Sequence, residues 1–193
     1  MNKRLLGALL CLSIAPIMIT ACSSGQNTVD VQTEVASAPP TSNAADLNQL
    51  VYIAVGEDKN VPLELSVGHH LSGSFLAPKA GSISAFGVLI GNYGNTSDGE
   101  LEVHLCQGDT CADGIASLSK SKDNRYFVIK LAHALVVRAG SDAGAMHYDL
   151  SRISGIKQFV IWGYPPIAAS QSLAWDNGPA LDKAAKIGLM YAQ

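Results

Sequence analysis

Six residues, Glu100-Leu101-Glu102-Val103-His104-Leu105, alternate polar and apolar without a break. Side chains two apart share a face only in a β-strand, so Leu101, Val103 and Leu105 are predicted to point inward and Glu100, Glu102 and His104 toward water. The run continues into Cys106-Gln107-Gly108-Asp109-Thr110-Cys111, which reads as a tight turn between two strands. A strand with one apolar face must bury it against a second layer, so a chain containing this hairpin is committed to layered β-structure. Hairpin spacing also sets the two cysteines opposite each other, where a disulfide can form. The alternatives are two reduced buried thiols or a metal pair. Zinc needs about four ligands, and no second cysteine pair follows.

Other segments repeat the theme. Leu63-Glu64-Leu65-Ser66-Val67 alternates, and Val51-Tyr52-Ile53-Ala54-Val55, Ser74-Phe75-Leu76 and Tyr126 to Leu131 are short strand-like runs. Leu135 to Val137 and Met146 to Leu150 carry weaker strand patterns. Ile83 to Ile90 and Phe159 to Trp162 are apolar on both faces and are predicted to be buried twice over. Asn92 to Gly99 and Asp123-Asn124 are turns. Leu181 to Lys186 is open to one or two helical turns, because Ala184-Ala185 favour helix. Ile187 to Tyr191 alternates and is predicted as a final strand. Many short strands with turns every ten or so residues indicate an antiparallel sandwich, with a lipocalin-like barrel as the alternative. The doubly apolar strands favour the sandwich.

The N-terminus has a different character. Lys3 and Arg4 precede an apolar run from Leu5 to Met18, followed by Ile19-Thr20-Ala21-Cys22. This resembles the signal of bacterial lipoproteins. The resemblance implies removal of residues 1–21, lipid attachment at Cys22, and anchoring to a membrane through acyl (palmitate-type) chains rather than a span. An uncleaved anchor, or a soluble secretory signal ending in Cys, are the alternatives. Ser23 follows the cysteine where an Asp would signal inner-membrane retention, so outer-membrane sorting in the cell envelope is expected. Residues 22–46, with Pro39-Pro40, lack periodicity and read as a flexible, disordered tether, although Val29 to Val35 has edge-strand character. The folded domain is expected over 47–193.

Removing the signal leaves roughly 170 residues, one domain with a sizeable core. It also removes two of the 13 basic residues and no acid, so the remainder is more acidic than the whole chain's net −3. That balance disfavours nucleic acid as a partner. No Gly-x-Ser-x-Gly, His-Glu-x-x-His or phosphate loop is present. No enzyme activity is therefore expected. Glu100 and Glu102 read as solvated charges on an outer face.

Gly73-Ser74-Phe75, the apolar strand Ile83 to Ile90, Asn92-Tyr93-Gly94, Gly99 to Leu105 and Asp123-Asn124 together resemble a bacterial jelly-roll module of cell-envelope proteins, also found appended to membrane glycosyltransferases. The similarity covers residues from about 63 to 164. In such modules an Arg commonly follows the Tyr-Gly pair, where this chain has Asn95. The resemblance implies an all-β, jelly-roll-type antiparallel sandwich similar to carbohydrate-binding modules, with a polysaccharide as ligand. A non-catalytic subunit docking to an envelope protein is the alternative.

Sugar recognition uses flat aromatic faces beside amides and carboxylates. The aromatic candidates are Tyr93, Tyr126, Trp162, Tyr164 and Trp175. Loops concentrate binding residues, which singles out Asn92, Tyr93, Asn95 and Asp98 in one loop and Trp175, Asp176 and Asn177 in another. Trp162, inside an apolar strand, is expected in the core. His69 and His70 are adjacent and so are expected on opposite faces of a strand, which argues against a shared metal. Asp98, Asp109, Asp113 and Asp123 are expected in loops without calcium-loop spacing. No cofactor or metal is expected.

Overall fold

The computed structural model describes residues 49–94 and 97–193. The signal over 1–21, Cys22, the tether over 22–46 with Val29 to Val35, and Asn95 lie outside the described residues. The strands are β1 (Leu50–Tyr52), β2 (Val61–Glu64), β3 (His70–Phe75), β4 (Gly81–Gly91), β5 (Glu100–Gln107), β6 (Thr110–Ser117), β7 (Arg125–Val137), β8 (Met146–Arg152), β9 (Val160–Tyr164), β10 (Ser172–Trp175), β11 (Ala180–Leu181), β12 (Ala184–Ala185) and β13 (Ile187–Tyr191). Two short 3₁₀ turns, Leu118–Lys120 and Ser141–Ala143, punctuate them. Among the described residues no helix is long and apolar enough to cross a membrane.

All pairings are antiparallel. In the seven-stranded sheet β2 pairs β9, β9 pairs β4 and β4 pairs β7. In the six-stranded sheet the order includes β3-β8-β5-β6. The orders 2-9-4-7 and 3-8-5-6 are those of two interlocked Greek keys, the jelly roll. Two separate sheets rule out the lipocalin-like barrel. The remaining strands extend this body. β10 and β11 add to the free edge of β3, and β13 inserts beside β4 with β1 on its outer side.

The core lies between the sheets. Leu101, Val103 and Leu105 of β5 face Ile83, Phe86, Val88 and Ile90 of β4 across one continuous apolar cluster. β4 is buried on its second face too, as its sequence predicts. There Ala85 packs with Leu50 and Val128 in a satellite cluster. Gly87 and Gly188 make room for it, since a Cβ on either would come within 3.1–3.4 Å of Leu50. Leu181 to Lys186, open to a helix from its alanines, instead forms β11 and β12, because both find ladder partners, β10 and β9.

Candidate functional site

Jelly-roll topology gathers the connections at two ends of the sandwich. At one end meet loops 65–69, 92–99, 118–124 and 153–159. They are cross-tied by Leu65 N–H to Phe159 O, Gly68 N–H to Arg152 O, and Leu118 N–H to Gly99 O. The turn after β10 joins them, with Asp176 N–H donating to His70 O. The two loops singled out by sequence therefore lie at the same end.

Their side chains divide between ligand-accessible and structural positions. Asn92 is 2% exposed, and its amide donates to Ser121 O and Oγ. Tyr93 is 55% exposed at φ +47°. Asp98 Oδ1 accepts from the N–H groups of Ile156 and Lys157 and from Arg152 Nη2, closing loop 153–159. The Lys157 N–H above all holds the Asp98 carboxyl below its ordinary pKa, outweighing burial. Trp175 packs against the core edge. Asp176 and Asn177 form a turn with both residues at positive φ, and Asn177 is exposed. The Asp176 carboxylate accepts from His70 N–H and pairs with His69 Nδ1 at 2.7 Å, and these contacts lower its pKa.

The two histidines depart from expectation. They do not diverge: His69 Nδ1 and His70 Nδ1 lie 2.7 and 3.4 Å from the two oxygens of Asp176. Gly68, at φ +85°, turns the chain, and β3 begins only at His70, so strand alternation does not govern His69. Asp113 also departs: it sits within β6 rather than in a loop, facing His104.

A second surface was not legible in advance. The outer face of the seven-stranded sheet carries Tyr52 on β1, Tyr126 on β7, and Trp162 and Tyr164 on β9. The Tyr52 and Tyr126 rings stand 4.9 Å apart at 49°. Lys186 Nζ lies 4.4 Å from the Tyr164 ring centre and 2.8 Å from Glu57 Oε2. Tyr52, Ile53, Ala54, Val55, Glu57, Tyr126 and Lys186 line an open cleft of about 250 Å³. Burial, then the neighbouring Tyr52, Tyr164 and Glu57, push the Tyr126 phenol up to about 12, so it stays a hydrogen-bond donor at neutral pH. Trp162 is only half-buried, and packs against Gly91, where a Cβ would come within 2.9 Å of its Nε1. That nitrogen is buried without a hydrogen-bond partner.

Tyr126, Trp162 and Tyr164 are recognisable from sequence as aromatic candidates; Tyr52, Glu57 and Lys186 are not. Their only link is the β1–β13 and β4–β7 register, which brings distant segments onto one face. The chain matches no known protein-family model and no curated protein.

Proposed function

We propose that this is a lipid-anchored cell-envelope protein whose sandwich binds glycan, without cleaving it, on the outer face of the seven-stranded sheet. The observation that carries the reading is the Tyr52–Tyr126 aromatic pair beside the Glu57–Lys186 ion pair in an open cleft. Tyr52 is 51% exposed and offers a flat face to the apolar side of a pyranose. Glu57 and Lys186 supply an acceptor and donors for hydroxyls, and the neutral Tyr126 phenol a further donor. The lipid on Cys22 would hold this surface near envelope polysaccharide.

Calorimetric titration of the protein with a panel of envelope polysaccharides tests this. Losing one stacking ring costs on the order of 1–2 kcal/mol, so Tyr52→Ala is expected to weaken binding about tenfold and leave the fold intact. If Tyr93→Ala or Trp175→Ala weakens binding and Tyr52→Ala does not, the ligand belongs to the loop end.

One observation favours a protein partner instead. Val67, Tyr93, Ile153 and Ile156 are 46%, 55%, 43% and 95% exposed, all at the loop end. Apolar side chains grouped on one surface mark contact sites. Retention of no polysaccharide, with a partner lost on Tyr93→Ser or Ile156→Ser, would replace the glycan reading with the docking one.

A further inference from the structure

The outer face of the six-stranded sheet holds a group of side chains that sugar binding does not use. In register across the sheet, Ser74, His147, Cys106 and Cys111 form one row, and Ser72, Asp149, His104 and Asp113 the next. Cys106 and Cys111 are bonded across the β5–β6 hairpin with Cα atoms 4.1 Å apart. Both are only half-buried, on a face open to solvent. His104 stands two residues before Cys106 on the same side of β5. Its Nε2 lies 3.1 Å from Cys106 Sγ. Its Nδ1 is hydrogen-bonded to Asp113 Oδ1 on β6. The carboxylate fixes the ring, and the ring addresses one sulfur of the pair.

We propose that Cys106–Cys111 is a thiol–disulfide exchange site for small thiols, with Cys111 the attacked sulfur, Cys106 the leaving group and His104 the catalytic residue that receives its charge. Exchange proceeds by attack of a thiolate on one sulfur and departure of the other. An external thiolate forms a bond to Cys111 Sγ, the Cys106–Cys111 bond breaks, and the electron pair leaves on Cys106 Sγ. The proton given up by the incoming thiol rests on His104 Nε2, whose N–H meets that charge, so the product is a mixed disulfide on Cys111 and a thiolate–imidazolium pair at Cys106. A second thiol equivalent then attacks the sulfur of the bound thiol, releases Cys111 as a thiolate, and departs as the oxidised small disulfide. Reversal re-forms the protein disulfide.

Two features separate this pair from an inert brace. Exposed disulfides are the labile ones, whereas buried ones resist reduction. A cationic donor beside a sulfur is what makes a thiol a good leaving group and, once reduced, a reactive thiolate. The asymmetry also gives the assignment: among the described residues the imidazole–sulfur hydrogen bond is made to Cys106 Sγ, whereas His133 Nε2 meets the Cys111 carbonyl, at 3.1 Å. The other titratable groups facing the site are Glu102 on β5, Asp113 on β6, and His147 and Asp149 on β8.

The test uses the full-length oxidised protein and glutathione. After acid quenching, fragment ions of tryptic peptide 80–120, whose only cysteines are these two, locate the adduct. Glutathione is expected on Cys111 with Cys106 free. His104→Gln is expected to slow adduct formation on the order of tenfold. In the reduced protein, alkylation of Cys106 by iodoacetamide should persist to lower pH in the wild type than in His104→Gln or Asp113→Asn. An adduct on Cys106, or divided evenly, would overturn the proposal, and so would an unchanged rate in a folded His104→Gln. Adduct position is read on the wild type alone, so it decides the matter even if a variant fails to fold.

Discussion

Tyr148 crosses the core from β8, its ring 5.4 Å from Phe86 and 6.0 Å from Phe75. Its hydroxyl passes directly over Gly73, where a Cβ would stand 2.2 Å from Oη and 2.7 Å from Ser172 O. The phenol is fully buried, which raises its pKa and keeps it neutral. No side chain fits at 73 without displacing this ring. Gly73→Ala is therefore expected to cost about 3 kcal/mol in urea unfolding, the upper end of ordinary overpacking. At the loop end the decisive residues are carboxylates. Asp98 and Asp176 are both held below the ordinary 3.8 by hydrogen bonds, first from Lys157 N–H and His70 N–H respectively. A depressed native pKa means the unfolded chain binds the proton more readily. The stabilisation is present above about 3.9 and is lost as pH falls through the native values. Urea midpoints should thus decline on acidification below pH 4, and decline less steeply in Asp98→Asn/Asp176→Asn. Such roles were hidden in the sequence: nothing in Asp98 itself tells a ligand-binding carboxylate from one that caps a loop 58 residues away.

At the level of strands, local pattern carried far. Glu100 to Leu105 alternates because β5 has one wet face, and Ile83 to Ile90 does not because β4 is covered on both. The hairpin between β5 and β6 was readable from six residues. Its two central positions are Gly108-Asp109, with Gly108 at φ +59°, the placement glycine takes in a tight two-residue hairpin turn. Because the closed loop is short, replacing both cysteines by Ala is expected to lower stability by only about 2 kcal/mol, measured by denaturant unfolding, with the sheets intact. Less was legible where strands are very short or where partners come from afar. β1 has three residues and β12 two, and both exist because of the strands beside them. Leu50 illustrates the energetic side. It is 7% exposed and sits on Gly87 and Gly188, so Leu50→Ala should cost about 2–3 kcal/mol and loosen β1 from β13, seen as faster amide exchange at Ile53, whose N–H donates to Ile187 O. The aromatic cleft beside it is likewise a product of pairing, and no window of sequence contains it.

For the whole molecule, the lipid expected on Cys22 would decide where these surfaces work. Cys22→Ala is expected to leave the protein unprocessed or free of the membrane, and mass spectrometry of a membrane extract should find acyl chains on Cys22 of the wild type only. The sandwich beyond it offers three chemically different surfaces: an aromatic cleft on one sheet, a row of serines, histidines and sulfurs on the other, and apolar side chains at the loop end. The position of β13 adds a constraint in time. This strand lies inside its sheet, flanked by β1 and β4, although its residues are among the highest-numbered of the domain. Until residues 187–191 have been synthesised, β4 stands unpaired along one edge from Ile83 to Val88 and Leu50 lacks half of its floor. The jelly-roll strands β2 to β9 precede it in the chain, but the seven-stranded sheet is complete only when β13 takes its place between β4 and β1. An open edge of that kind is a template for pairing with other chains. A polypeptide halted before Ile187 would therefore be prone to clump with its neighbours rather than merely be less stable.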